Sequence, residues 1–144
     1  MTVLRDANGF VQAIEQCRAA LHGFVRGDHE PMRQMLSQRE DVVLCNPWRP
    51  VAHGPTEVAQ TLEEAASHFA DGDIEFRTVE KHSAGDLGYV IEIEEFTAKL
   101  DGKAGSGALR VTMILRLEDG VWKVAHRHAD PITAPQSPES TWRR

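Results

Sequence analysis

The chain has 144 residues, 41% of them hydrophobic, and a formal net charge of −6. A chain of this length buries roughly 70% of the surface its unfolded form exposes, enough for one soluble domain with its own core. The acidic balance and scattered basic residues, with Arg143-Arg144 the only run, argue against a nucleic-acid partner, whose phosphates require a basic patch.

Phe10, Ile14, Cys17, Leu21 and Phe24 or Val25 recur at helical spacing and predict a first amphipathic helix over about residues 8–26, closed by Gly27. Asp28 is placed to cap a short second helix, with Pro31 in its first turn and Met32, Met35 and Leu36 as its apolar face. Residues 42–45 read as a short buried strand. The segment Asn46-Pro47-Trp48-Arg49-Pro50 ends it, because two prolines oppose regular pairing. A third helix is expected from His53-Gly54-Pro55-Thr56, with Val58, Leu62, Ala65 and Phe69 inward and Gly72 as its stop.

From Ile74 the period falls to two. Strands over 74–82, 87–100, 107–118 and 121–129, joined by Gly85-Asp86, Asp101-Gly102 and Asp119-Gly120, make an antiparallel meander. The fold class is therefore α+β, three N-terminal helices capping one mostly antiparallel sheet. Residues 1–131 form the expected domain and 132–144 a proline-containing tail, whose Trp142 could dock on this subunit or a neighbour. Cys17 and Cys45 match no zinc spacing and are expected as buried free thiols. No window approaches the ~20 apolar residues of a membrane span. Arg5 and Asp6 interrupt the place of a signal peptide, so a cytoplasmic protein is expected.

In the last strand, alternation puts Trp122, Val124, His126, His128 and Asp130 on one face and Lys123, Ala125 and Arg127 on the other. The strand before it should turn Val111, Met113, Leu115 and Leu117 inward. Arg110 is then left on the outer side, to pair across a dimer with Glu92 or Glu94, or to sit at a pocket mouth as an anion anchor. Two histidines on one face are natural proton-transfer groups near neutral pH, His126 the deeper of them. The plain alternative is one partly buried, hydrogen-bonded histidine and one at the rim beside Asp130. His126-x-His128 could also offer two imidazoles to a metal. A competent site needs a third ligand, and only His53 or Asp28 could supply it, so no metal and no cofactor are expected.

Arg26-Gly27-Asp28, Cys45-Asn46-Pro47-Trp48, His53-Gly54, Leu109-Arg110-Val111-Thr112, Gly120-Val121-Trp122-Lys123-Val124 and His126-Arg127-His128-Ala129-Asp130-Pro131 together resemble the NTF2-like superfamily. The resemblance is closest to its SnoaL-like, ketosteroid-isomerase-related branch with a cystatin-like fold, and covers about residues 8–131. It implies a cone-shaped domain with an apolar pocket between helices and sheet, and a homodimer built on the convex face. It implies a small-molecule ligand, with Asn46 and Trp48 at the turn that edges the pocket. The isomerase's carboxylate base corresponds to Asn46, its oxyanion tyrosine to about Ala20 and its protonated aspartate to about Met113, so steroid isomerisation is disfavoured. In dehydratase relatives an aspartate near Asp28 orients a catalytic histidine. The expected site is thus His126, His128 and Asp28 for catalysis, with Asn46, Trp48, Met113 and Asp130 against the ligand. Two functions fit: cofactor-free proton transfer of isomerase, dehydratase or cyclase type on a small, mostly apolar molecule, or a noncatalytic ligand-binding or dimerisation module.

Overall fold

The computed structural model describes residues 8–143, so residues 1–7 of the expected domain, including Arg5 and Asp6, and Arg144 lie outside the described residues. Helix α1 spans Phe10–Phe24, α2 Glu30–Met35 and α3 Pro55–Ala66. Strands are β1 (Val43–Asn46), β2 (Arg49–His53), β3 (Phe69–Ala84), β4 (Leu87–Leu100), β5 (Lys103–Glu118) and β6 (Val121–Asp130). They form one α+β unit with a six-stranded sheet in the order β2-β1-β6-β5-β4-β3. The sheet is open, with β2 and β3 as its edges, and does not close into a barrel. The helices are not all N-terminal to the strands either: the β1–β2 hairpin precedes α3.

The meander arises from its turns. Asp101-Gly102 and Asp119-Gly120 hold positive φ at both residues, 50° and 84° in the first and 51° and 83° in the second. That is the backbone twist which lets two residues join long antiparallel strands. Beyond the meander, β1 runs parallel to β6, with Val43 beside His126 and Cys45 beside His128.

Two boundaries differ from expectation. Arg49–His53 is a strand despite Pro50, because β2 is an edge strand with one side free of pairing. Helix α3 ends at Ala66, so Phe69 opens β3 rather than closing a helix, and Gly72 is a strand residue. Gly72 is required by close approach: a Cβ there would lie 2.2 Å from the Val25 carbonyl oxygen. Arg26 reinforces this junction by donating from Nε to the Gly72 carbonyl at 2.9 Å.

The core lies between the helices and one sheet face, joining Ile14, Cys17 and Leu21 of α1, Met32 of α2, and Val58 and Leu62 of α3 to Val90, Val111, Met113 and Val124. Trp122 closes one end, its ring edge-on to Phe10 at 5.2 Å and its Nε1–H donated to the Asn8 carbonyl at 2.7 Å. After β6 the tail holds a 3-10 turn over Pro138–Thr141. Trp142 is 79% exposed, so it does not dock on this chain. No helix among the described residues is long and apolar enough to cross a membrane.

Gly72→Ala is expected to destabilise the protein by about 2 kcal/mol through overpacking against Val25. Urea denaturation checks it, and an unchanged midpoint would show that the junction relaxes freely.

Candidate functional site

The inner face of the sheet is decided by a single extra residue. Leu115 pairs with Val124 and Ile114 pairs with His126, so Ala125 has no partner and forms a β-bulge. A bulge shifts the alternation by one residue. Trp122 and Val124 face the core before it; Arg127 and Ala129 face the core after it.

The expectation that His126, His128 and Asp130 share the inner face with Trp122 is therefore corrected: they lie on the outer face. His126 meets the Val43 carbonyl through Nδ1 at 3.0 Å. His128 is exposed, with Nε2 3.2 Å from Asp130 Oδ2, and the two imidazoles are 6.4 Å apart. Asp130 in turn receives both Nε and Nη2 of Arg110, at 3.1 and 2.8 Å. Partial burial works to raise the Asp130 pKa, but the Arg110 guanidinium outweighs it and holds the carboxyl below its ordinary value.

A second correction follows from the register of β4. Glu92 pairs with Val111 and Glu94 with Leu109, both inward positions, whereas Ile93 pairs with Arg110. Glu92 and Glu94 are consequently 0% and 1% exposed inside the domain, and Ile91 and Ile93, which alternate with them, face outward. Neither glutamate reaches Arg110.

Inside, these carboxyls meet two arginines. Arg127 donates from Nη1 and Nη2 to the two oxygens of Glu94, at 2.9 and 2.8 Å. Arg18 of α1 donates from Nε and Nη2 to Glu92 Oε1, at 3.1 and 2.9 Å, and also reaches Thr78 and Glu15. Burial drives the Glu92 pKa up and the adjacent Glu94 adds to it, so that against the pull of Arg18 it reaches about 7. Burial pushes Glu94 the same way, but its fork on Arg127 prevails and the pKa falls below the ordinary value. Burial likewise pushes the neighbouring Cys17 thiol up to about 12, which keeps it inert. Alternation puts Glu92 and Glu94 on one face without saying which face is inward, and for Arg127 it is reversed by the bulge at Ala125.

Arg127 also forms part of a pocket of about 750 Å3 that opens at the end of the sheet carrying the β1–β2 and β4–β5 turns. Its walls are Leu21 and Phe24 of α1, Leu62 and Ala65 of α3, Leu44 of β1, and Phe69, Phe96, Ala98 and Leu109 of the meander. The β5 backbone forms another side, where Gly107 is needed because the Phe96 ring lies 2.6 Å from where a Cβ would stand. Asn46, Pro47 and Trp48 edge the opening, and Lys103 lies on the rim.

Of the residues singled out in the sequence, Asn46 and Trp48 line this pocket. Asn46 Oδ1 accepts from the backbone N–H of Trp48 and of Arg49, both at 3.0 Å, and so builds the turn. Trp48 is half exposed, stacked on Phe69 at 6.0 Å and edge-on to His68 at 5.6 Å. Met113 is fully buried in the core beneath the pocket and does not line it. Asp28 is exposed and accepts from the Glu30 N–H at 3.1 Å, closing the turn into α2 and remaining apart from both histidines. Among the described residues no three His, Cys, Asp or Glu side chains gather as metal ligands.

The family model for the SnoaL-like domain matches residues 14–134. The chain belongs to the SnoaL-like family. Solved structures agree on the fold. A ketosteroid isomerase-like protein from Erwinia carotovora atroseptica is 22% identical, with a TM-score of 0.73 over 89% of this chain and 99% of that one. A proposed dehydratase of the NTF2-like family from Streptomyces avermitilis is 21% identical, with a TM-score of 0.68 over 86% and 96%. A protein of unknown function with a cystatin-like fold from Nostoc punctiforme is 17% identical, with a TM-score of 0.68 over 89% and 93%. These likenesses show that the chain shares the fold of those proteins. No curated protein matches the sequence.

Two outcomes follow from the buried cluster. Arg127→Ala is expected to cost about 3–5 kcal/mol, because it leaves Glu94 buried without a partner. Replacing both residues, Glu94→Leu with Arg127→Met, should recover most of that loss in urea denaturation. Glu92 is protonated more readily in the folded than in the unfolded state, where its ordinary value is 4.5. Its contribution is therefore full below that value and is lost as pH rises toward 7, by roughly 2–3 kcal/mol. The Glu94 contribution has the opposite sign and is lost as pH falls below the ordinary carboxylate range. Glu92→Gln should flatten the decline in stability between pH 5 and 7; an unaltered pH profile would contradict the assignment.

Proposed function

We propose that this SnoaL-like domain binds a small, mostly apolar molecule in the pocket, with the buried guanidinium of Arg127 as the polar contact at its floor. One observation carries the reading: a cavity walled by aliphatic and aromatic side chains meets one buried charged group, Arg127, held in place by Glu94, while the other charged lining residue, Lys103, stays at the rim. Pockets of this volume, apolar with few fixed polar groups, are characteristic of small-molecule sites. The reading favours a binding module over histidine chemistry, since His126 and His128 lie on the opposite face from the pocket. A cofactor-free proton transfer of isomerase, dehydratase or cyclase type is the second reading. It draws on the pair Glu92 and Glu94, where a carboxyl poised near neutrality adjoins the glutamate that holds Arg127. The positions of the isomerase base, tyrosine and acid are occupied by Asn46, Ala20 and Met113, so steroid isomerisation forms no part of it.

The rest of the assignment is proposed with it: one domain over 1–131 with a tail over 132–144, a cytoplasmic setting, and a homodimer through the outer sheet face. That face carries Ile91, Ile93, Thr112 and Ile114, all only half buried in the single chain. A symmetric sheet contact there would cover them.

Filling the pocket tests the central reading. Ala98→Trp places an indole inside the cavity from a half-exposed position. It should weaken binding of a neutral bicyclic probe, 2-naphthamide, at least tenfold in calorimetry while leaving the thermal midpoint within a few degrees. Unchanged affinity would place the ligand elsewhere. Turnover of a panel of small carbonyl compounds, abolished by Glu92→Gln, would favour the enzymatic reading instead.

A further inference from the structure

Glu92 Oε2 is a buried side-chain oxygen with no hydrogen-bond partner among the described residues. Every group around it explains why. From α1 it is faced by Arg18, which bonds the other oxygen, with Glu15 behind that guanidinium and Cys17 alongside. From its own strand it is faced by Glu94, whose two oxygens are both taken by Arg127 of β6. The carboxyl group that Glu92 meets along its own strand is thus a second acceptor. Two carboxylates cannot satisfy each other; one carboxylic acid and one carboxylate can, by sharing a proton. An orphaned oxygen between an acidic pair is the mark of a proton site.

The far end of the same chain of contacts is the pocket. Arg127 spends one N–H of each Nη on Glu94, and its Nε has no partner among the described residues. It is the one guanidinium among the residues lining the pocket. We propose that the pocket floor is a carboxylate-recognising subsite in which Arg127 takes the acid group of an apolar carboxylic acid and the Glu92–Glu94 pair takes up one proton as it binds. This rests on the reading of the pocket as a ligand site and specifies the class of ligand.

The coupling follows from charge alone. Arg18, Arg127 and Glu94 carry two positive charges and one negative, and Glu92 decides whether the cluster is positive or neutral. An entering carboxylate adds a buried negative charge, which competes with Glu94 for Arg127 and disfavours an ionised Glu92. A proton taken from solvent onto Glu92 restores the balance and gives Oε2 a hydrogen to donate to Glu94. No bond other than that O–H forms or breaks. Since Glu92 in the free protein is poised near neutrality, uptake is expected above pH 7 and fades below pH 6, where the proton is already in place. Affinity for the anion should therefore fall with rising pH, and affinity for an uncharged ligand should not.

The test is calorimetric titration of the full chain with 2-naphthoate and its uncharged counterpart 2-naphthamide. It is done at pH 5.5 and 8 in buffers of contrasting ionisation heat, on the wild type and Glu92→Gln. The expected result is uptake approaching one proton per naphthoate at pH 8 and little at pH 5.5. Naphthoate affinity should be about five- to tenfold weaker at pH 8 than at pH 5.5, and neither effect should appear with Glu92→Gln or with naphthamide. Naphthoate binding without uptake, uptake that persists in Glu92→Gln, or binding of naphthamide alone would overturn the inference and leave the pocket reading standing. Binding of neither probe would overturn both. The wild-type measurement decides the matter even if Glu92→Gln fails to fold.

Discussion

The inner face of this sheet has to accommodate a guanidinium and a carboxylate that are almost wholly buried. Removing such charges from water costs several kcal/mol per ion, which is recovered only by close, two-pronged geometry. Arg127 and Glu94 supply that geometry from strands separated by β5, so the alignment of three strands is fixed by one ion pair. The bulge at Ala125 makes the arrangement possible. Without it Arg127 would point outward and His126 inward, and the pocket would have an imidazole where it now has a guanidinium.

The local chemistry follows from the same pair. Because Arg127 holds Glu94 ionised, the next carboxyl along β4 meets a fixed negative charge as well as burial, and Glu92 is pushed toward neutrality. Arg18 moderates the shift from the other side and ties the cluster to α1. The outer face has a comparable but separate set, Arg110 with Asp130 and His128, in partial contact with solvent. Such exposed pairs add little to stability, whereas the inner set cannot lose one member without stranding another.

Much of the fold was legible in the sequence because the signals were local. Asp-Gly pairs located the β4–β5 and β5–β6 turns, and β4 runs over the expected residues 87–100. The helical apolar spacing of Phe10, Ile14, Cys17 and Leu21 became the buried face of α1. The signals that misled were also local ones. Pro50 argued against a strand that exists only because it lies at an edge, and Gly72 resembled a helix stop when its role is to admit the Val25 carbonyl. At the site, period-two alternation carried Trp122 and Val124 correctly and failed one residue later, because no composition rule announces a bulge at alanine. The alternation of Ile91-Glu92-Ile93-Glu94 was read with its charges outward. Only the register with β5 and the presence of Arg18 and Arg127 reverse it.

The account stands or falls on the protonation of Glu92, because that proton joins the buried cluster to the pocket. Carbon-13 labelling of the glutamate carboxyls, followed by NMR titration of the unliganded protein, reads it directly. One carboxyl resonance should titrate near pH 7 and be missing from Glu92→Gln, while another stays ionised to well below the ordinary range. Titration of every glutamate below about pH 5 would contradict the account.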